Sequence, residues 1–343
     1  MSHLNKPCAI TGDRPTGPLH LGHYVGSLKS RLALQESHDL IVLVADLQAL
    51  TDNAGNPQKI TQNIPEVMKD YLAVGLDPER TTFVLQSAVP ELTELTVLLL
   101  NLATVAQLER NPTVKNEIVQ RGFCRDLPAG FLCYPVSQAA DIIGLGSGIV
   151  PVGDDQLPMI EIANVFIDRI NARQPEGAVP LDRCQALLSP TTRLPGILGG
   201  SKMSKSQGNA ICLSASADEL KAAVHRMYTD PLHLKISDPG QVEGNVVFSY
   251  LDAFDPDTAM VQELKAQYKA GGLGDMPLKK RLLGLMEAEM APIRERRLLL
   301  EGREGELLEY LRAGSAKARQ RARHALETVK RALGVFELPR APD

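Results

Sequence analysis

An α/β architecture is what this sequence predicts: a parallel sheet with helices on both faces, followed by an all-helical C-terminal part. Three observations predict it. In the first two hundred residues, short apolar runs at 8–11, 40–44, 82–85 and 150–152 alternate with longer helical patterns at 27–34, 57–74 and 91–108, the alternation of βαβ units. The first run ends in a turn punctuated by Gly12 and Gly17, and 19–28 then reads as the opening of a helix. Beyond residue 206 the strand-like runs stop. Helical patterns at 218–227, 257–269, 278–289 and 305–333 follow one another, broken by Asp238-Pro239-Gly240 and Gly271-Gly272-Leu273-Gly274, which reads as a second, helical domain.

Each element has its reason. The runs at 40–44 and 82–85 are too short for helices and suit strands of a parallel sheet. The stretch at 57–74 is a good helix, stopped by Gly75 and then by Asp77-Pro78. In an open parallel sheet, ligands bind beyond the carboxyl ends of the strands, where Gly12, Asp46 and Gln86 fall. The first part is therefore Rossmann-like. A chain of 343 residues exceeds one typical core and suggests a large domain with a smaller one.

Composition narrows the function. Apolar residues make up 44% and charged residues 23%, which excludes a disordered chain. A net charge of −4 excludes a general nucleic-acid binder, so an RNA partner would have to use local patches. Lys317, Arg319, Arg321, Arg323, Lys330 and Arg331 offer one, next to the acid-rich 301–309; a solvated helix face is the alternative. Cysteines stand at 8, 124, 133, 184 and 212 with no CxxC pair and no His/Cys zinc spacing, so reduced thiols and no zinc are expected. No run approaches eighteen apolar residues and the N-terminus lacks an apolar leader; a cytoplasmic protein with no membrane partner is expected.

Two segments carry chemistry. Pro15-Thr16-Gly17-Pro18-Leu19-His20-Leu21-Gly22-His23 sits at a strand-to-helix turn, where unpaired N–H groups and the helix dipole favour phosphate. His20 and His23 are three apart and project to one side, and Gly22 leaves room for an adenine or ribose against the backbone. Far downstream, Lys202-Met203-Ser204-Lys205-Ser206 follows Gly199-Gly200-Ser201. Its two ammonium groups suit a pyrophosphate leaving group, whose charge grows in the transition state. Alone, each segment also fits a solvated helix start or a basic surface loop; together they point to an enzyme that uses ATP.

With both segments in place, the chain resembles class I aminoacyl-tRNA synthetases, whose signatures are HIGH-like and KMSKS. Within that class it is similar to the bacterial tryptophanyl branch over nearly its whole length. The similarity includes Gly12-Asp13-Arg14-Pro15-Thr16-Gly17, Tyr71 to Pro78, Gln86-Ser87-Ala88-Val89-Pro90, Tyr134-Pro135, Ala139-Ala140-Asp141-Ile142 and Val150 to Gln156. The resemblance implies activation of L-tryptophan by ATP with Mg²⁺, transfer to tRNA(Trp), and a homodimer to which the apolar 92–108 region contributes; a buried core helix is the alternative there. It implies a catalytic domain over 1–205, an anticodon-binding domain over 206–305, and a helix over 306–335 packing back on the catalytic domain. Some relatives carry an iron–sulfur cluster on closely spaced cysteines. This sequence has no such set, and no cluster is expected.

The same resemblance assigns roles. His20, His23, Lys202 and Lys205 would be catalytic, and Arg14, Thr16, Gly22, Lys115, Met203 and Ser204 would join His23 and the lysines around ATP. Asp141, a carboxylate among small apolar residues that needs a donor, would take the indole N–H. Tyr134 and Gln156 would hold the α-ammonium. Gly12, Gln48, Gln138, Val150 and Val152 would complete the tryptophan pocket, and no residue is assigned to a metal. Ile10 stands where many tryptophanyl enzymes have an aromatic residue and Gln48 where they have histidine. Gln138-x-x-Asp141 also resembles tyrosyl enzymes, although these generally place a tyrosine at position 10. A tyrosyl-like specificity and a non-charging paralogue remain the alternatives.

Overall fold

The computed structural model describes residues 6–123, 126–188, 194–200, 203, 208–336 and 338. β1 (Cys8–Asp13) is the central strand of a five-stranded, all-parallel sheet. β2 (Asp39–Val44) and β3 (Thr81–Leu85) lie to one side, and β4 (Ile149–Val152) and β5 (Gln185–Leu188) to the other, giving the order β3-β2-β1-β4-β5. Ile10 pairs with Ile41, Val42 with Phe83, and Ala9 with Ile149. The chain leaves β1 in one direction and returns to its other flank at β4. The switch point of the sheet thus lies at the carboxyl ends of these two strands.

Period-two alternation builds a core on each face. Ala9, Leu40, Val42 and Phe83 join one apolar layer, whereas Ile10, Ile41, Leu43 and Val84 join the other. The first layer includes residues of α2 (Lys29–Ser37), α4 (Pro57–Val74), α10 (Ala217–Arg226), α11 (Val246–Phe254), α12 (Thr258–Ala270) and α13 (Asp275–Leu298). The second gathers α5 (Pro90–Leu100), α8 (Ala129–Leu145), α9 (Leu157–Asn171) and α14 (Glu304–Leu333). Between β1 and α2 run α1 (Leu21–His23) and a π-helical turn, Tyr24–Leu28. Further short helices are α3 (Asp46–Ala49), α6 (Val105–Arg110) and α7 (Pro112–Arg121).

The structure departs from the sequence pattern in physical ways. The 91–108 pattern is two helices, because the Thr104 side chain accepts from Gln107 N–H and starts α6 anew. Leu92, Leu95 and Leu99 are core, while Val97 and Val105 are exposed. α8 is buried nearly all round from Tyr134 onward, so it carries little amphipathic period. β5 is four residues at an edge, with Leu187 and Leu188 exposed. No described helix is long and apolar enough to cross a membrane.

α14 closes the β3 edge. Ser315 Oγ accepts from Leu85 N–H at 3.0 Å, supplying a partner that no strand provides there. The approach is close: a Cβ on Gly314 would fall 1.9 Å from the Phe83 carbonyl oxygen. The basic residues of this helix are largely spent on the same docking. Arg319 grips Glu91 with contacts of 3.0 and 3.1 Å, Arg323 adds one at 3.6 Å, Lys330 pairs with Glu94, and Arg321 pairs with Asp39. The suggested RNA patch is therefore in good part an intramolecular seam.

Gly314→Ala is expected to lower unfolding stability by about 1–3 kcal/mol through this clash. Gly284→Ala, in α13 with nothing within 4 Å of the new Cβ, should raise it by about 0.5–1 kcal/mol. Urea denaturation of both variants checks the pair, and equal effects would refute the close approach.

Candidate active site

The turn from β1 into the first helices is held by buried charge. Asp13 Oδ2 accepts from Arg31 Nη1 at 2.6 Å and from the Tyr71 hydroxyl at 2.7 Å. Arg31, itself 1% exposed, lies over the Tyr71 ring and also donates to Ser27. Burial pushes the Asp13 carboxyl up, but Arg31, His23 and the two hydrogen bonds outweigh it and hold it at about 2. Gly12 is required by close packing, since a Cβ there would lie 2.5 Å from Leu43 O.

The histidines form a reciprocal cap. His20 Nδ1 accepts from Gly22 N–H at 3.1 Å and His23 Nδ1 accepts from His20 N–H at 3.2 Å, with ring centroids 3.9 Å apart. A neutral ring whose Nδ1 accepts carries its proton on Nε2. In that form each imidazole presents Nε2–H as a donor, and both rings line the cavity. Gly22 makes room for His20, whose ring would stand 2.9 Å from an added Cβ, with Met203 Sδ at 3.6 Å. The backbone of this turn is pinned from two sides: Leu19 N–H donates to Asp70 Oδ2 at 2.6 Å, and Leu21 N–H and Leu19 O pair with Ile211 O and Leu213 N–H at 2.9 Å. Ile197 N–H donates to Asn209 O at 2.9 Å, closing the base of the loop that carries Met203.

A cavity of about 500 Å³ opens at the switch point. Its apolar wall includes Ile10, Leu43, Ala45, Ile142 and Val150, and Gln48, Gln138, Asp141 and Gln156 supply polar groups. Arg14, Thr16, His20, Gly22, His23 and Met203 line it on the turn side, and Gly12 joins them. Asp141 is 4% exposed. Its Oδ2 accepts from Gln86 Nε2 at 2.8 Å, while Gln86 Oε1 accepts from Gln48 N–H at 3.0 Å, so Gln86 is locked as a donor toward the carboxylate. Asp141 Oδ1 is buried without a partner. Burial pushes the carboxyl up to about 7; the Gln86 hydrogen bond pulls down and Asp46 adds to the rise.

Not every expected residue meets here. Lys115 is exposed on α7 and does not line the cavity; Glu117, two residues on and so on a different face of the helix, does. Tyr134 is buried edge-on against Phe131 at 5.5 Å, in a cluster with Val114 and Met159, and is not a lining residue. Val152 packs against the apolar layer of Ile10 and Val150 rather than lining the space. Lys202, Ser204 and Lys205 lie outside the described residues. Asp13, Thr11, Glu117, Asp155 and Leu194 also line the cavity. Of these, Asp13 and Asp155 fall within the segments Gly12 to Gly17 and Val150 to Gln156 that carry the resemblance, and Asp155 also reads in the sequence as a nucleotide or substrate contact. Arg14 pairs with Asp52 at 3.4 Å. Among the described residues no group of three His, Cys, Asp or Glu is placed to hold a metal ion.

Comparison with known proteins gives the site its relatives. The model of the family "tRNA synthetases class I (W and Y)" matches residues 4–289. A tryptophan–tRNA ligase of Clostridium longisporum is 52% identical over 336 residues, covering 97% of this chain and 98% of the relative. One of Lactococcus lactis is 48% identical, covering 97% and 99%. The crystal structure of a tryptophanyl-tRNA synthetase from Campylobacter jejuni complexed with ADP and tryptophan superimposes with a TM-score of 0.77 at 30% identity, covering 96% of this chain and all of that one.

The raised carboxyl at 141 has a consequence for stability. Its native pKa of about 7 exceeds that of the unfolded chain, so its contribution is complete at acid pH and lost as pH rises through 7. Asp141→Asn removes that loss. Its advantage over the unmodified protein in urea unfolding should be larger at pH 8.5 than at pH 5 by about 2–3 kcal/mol; a pH-independent difference would show that the group is ionised throughout.

Proposed function

The chain belongs to the class I tRNA synthetases of the tryptophan and tyrosine group, and we propose that it is a tryptophan–tRNA ligase, activating L-tryptophan with ATP and transferring it to tRNA(Trp). The observation that carries the reading is Asp141 Oδ1, a buried acceptor without a partner beside the apolar wall of the cavity. An indole N–H is a donor on an otherwise apolar body, and it matches that demand. The names of the relatives at 48% and 52% identity support tryptophan over tyrosine. So does Ile10, an apolar residue of the cavity wall at the position where tyrosyl enzymes generally place a tyrosine.

The first step is in-line attack by the tryptophan carboxylate on the α-phosphorus of ATP. A carboxylate oxygen–phosphorus bond forms, the bond to the β-phosphate bridging oxygen breaks, and pyrophosphate leaves. The nucleophile is already ionised, so the protein's work is positioning and charge stabilisation. His20 and His23 donate through Nε2 to the nucleotide, Arg14 and Thr16 flank it, and Gln156 holds the substrate ammonium. Lys202 and Lys205 neutralise pyrophosphate; Mg²⁺ enters with ATP as part of that substrate. In the second step a terminal ribose hydroxyl of tRNA takes the acyl group and AMP leaves.

On this reading residues 1–205 catalyse, 206–305 engage the anticodon, and 306–335 return to brace the catalytic part. A cytoplasmic homodimer completes the proposal.

Amino-acid-dependent exchange of labelled pyrophosphate into ATP tests the reading: exchange is expected with tryptophan and not with tyrosine, and the reverse would overturn the pocket assignment. Asp141→Ala should lower kcat/KM for tryptophan by about 10–100-fold. In the unmodified protein, tryptophan should bind more tightly as pH rises through about 7, because the ionised carboxylate is the better acceptor. Lys205→Ala should reduce exchange by roughly 100-fold or more while the Kd for tryptophan, read by calorimetry, stays within about twofold; unchanged exchange would remove this lysine from the mechanism.

A further inference from the structure

The residue preceding the first histidine is held by an unusual chain of contacts. Leu19 N–H donates to Asp70 Oδ2 at 2.6 Å, and Asp70 Oδ1 accepts from Arg297 Nε at 2.8 Å. Asp70 is fully buried and the Arg297 side chain is 10% exposed. Arg297 lies one residue before the end of α13, more than two hundred positions from Asp70 in sequence. Its remaining donors go to Glu66 and, at 3.0 Å, to Glu301. α13 touches the same turn a second time, where Glu289 accepts from the Tyr24 hydroxyl at 2.9 Å and pairs with Lys29 at 2.7 Å.

A buried carboxylate bonded on both oxygens fixes its neighbours more rigidly than either contact alone. If Arg297 is withdrawn, Asp70 loses the guanidinium that orients its carboxylate, and its hold on Leu19 N–H weakens. Leu19 sets where His20 caps the helix, and His20 sets the reciprocal bond to His23. We propose that Asp70 and Arg297 are positioning residues for the ATP-dependent step: through Leu19 they hold the His20–His23 pair in register with the nucleotide phosphates. The inference rests on the reading of that pair as the ATP contact.

The experiment is pyrophosphate exchange on the full chain with ATP and tryptophan varied in turn, for Arg297→Met, Arg297→Lys, Asp70→Asn, the Asp70→Asn/Arg297→Met double variant and Glu301→Gln. Arg297→Met is expected to raise KM for ATP on the order of tenfold with KM for tryptophan within twofold, and Arg297→Lys to recover part of the loss. The double variant should be no worse than Arg297→Met alone, since the two residues act as one unit. Glu301→Gln, which breaks another Arg297 contact but leaves Asp70 alone, should keep both constants. Equal changes for ATP and tryptophan, or additive losses in the double variant, would overturn the relay. Where a variant fails to fold, Arg297→Lys supplies the same split. An unmodified protein inactive with tryptophan would instead overturn the functional reading beneath it.

Discussion

The carboxylate of Asp13 is the constraint around which the site is arranged. It lies at the carboxyl end of the central strand, and it binds a guanidinium from the helix that follows and a phenol from α4. Three elements that the chain visits at positions 13, 31 and 71 are thereby fixed at one point. A buried ion pair of this kind contributes little net stability compared with an apolar packing of the same volume. What it supplies is geometry, because each partner is expensive to leave unsatisfied. Gly12, one residue earlier, lets the strand end pack against Leu43 O, so the turn leaves the sheet with little freedom.

A half-buried carboxylate and a buried one face the same cavity with different ionisation. Asp13 is held at about 2 by a full positive charge and two hydrogen bonds. Burial raises Asp141 to about 7, and the single Gln86 amide offsets only part of that rise. Environments that push like groups apart in this way separate their roles. Asp13 is always charged and is structural in its work on the turn. Asp141 sits at the boundary between charged and neutral, so an incoming donor changes its state as well as its contacts. Gln86 takes part in both conditions, since Gln48 N–H fixes its amide and leaves only its donor for the carboxylate.

Much of this was legible in the sequence, and the illegible part has identifiable causes. The strands β1 to β4 stood out because apolar runs of four to six residues in a parallel sheet are buried on both faces. β5 did not, because an exposed four-residue edge has no such pattern. His20, His23 and Asp141 were legible since each combines a reactive group with a context that demands a partner. Lys115 shows how helix phase escapes a spacing argument: the same helix turns Glu117 to the cavity and leaves Lys115 exposed beside it. Gln86 was placed at a strand end but its bond to Asp141, 55 positions away, is a tertiary fact that no local pattern encodes. The basic run on α14 read as a surface because its partners Glu91, Glu94 and Asp39 are remote in sequence.

The cavity's discrimination follows from what it leaves unsatisfied. Its apolar wall would accept several side chains of similar bulk, and adding or removing a methylene there changes binding by only about 1–3 kcal/mol. Asp141 Oδ1 is different: a ligand that fills the space without donating to it seals a carboxylate away from water with no partner on that oxygen. The cost of that state rejects a phenyl ring far more strongly than shape does, because a site built to bond a polar hydrogen penalises its absence. Rejection therefore rests on the same burial that raises the carboxyl to about 7. A pocket wetter around Asp141 would ionise it at lower pH and lose the selectivity, so the perturbed carboxyl and the specificity are one property of the packing around residue 141.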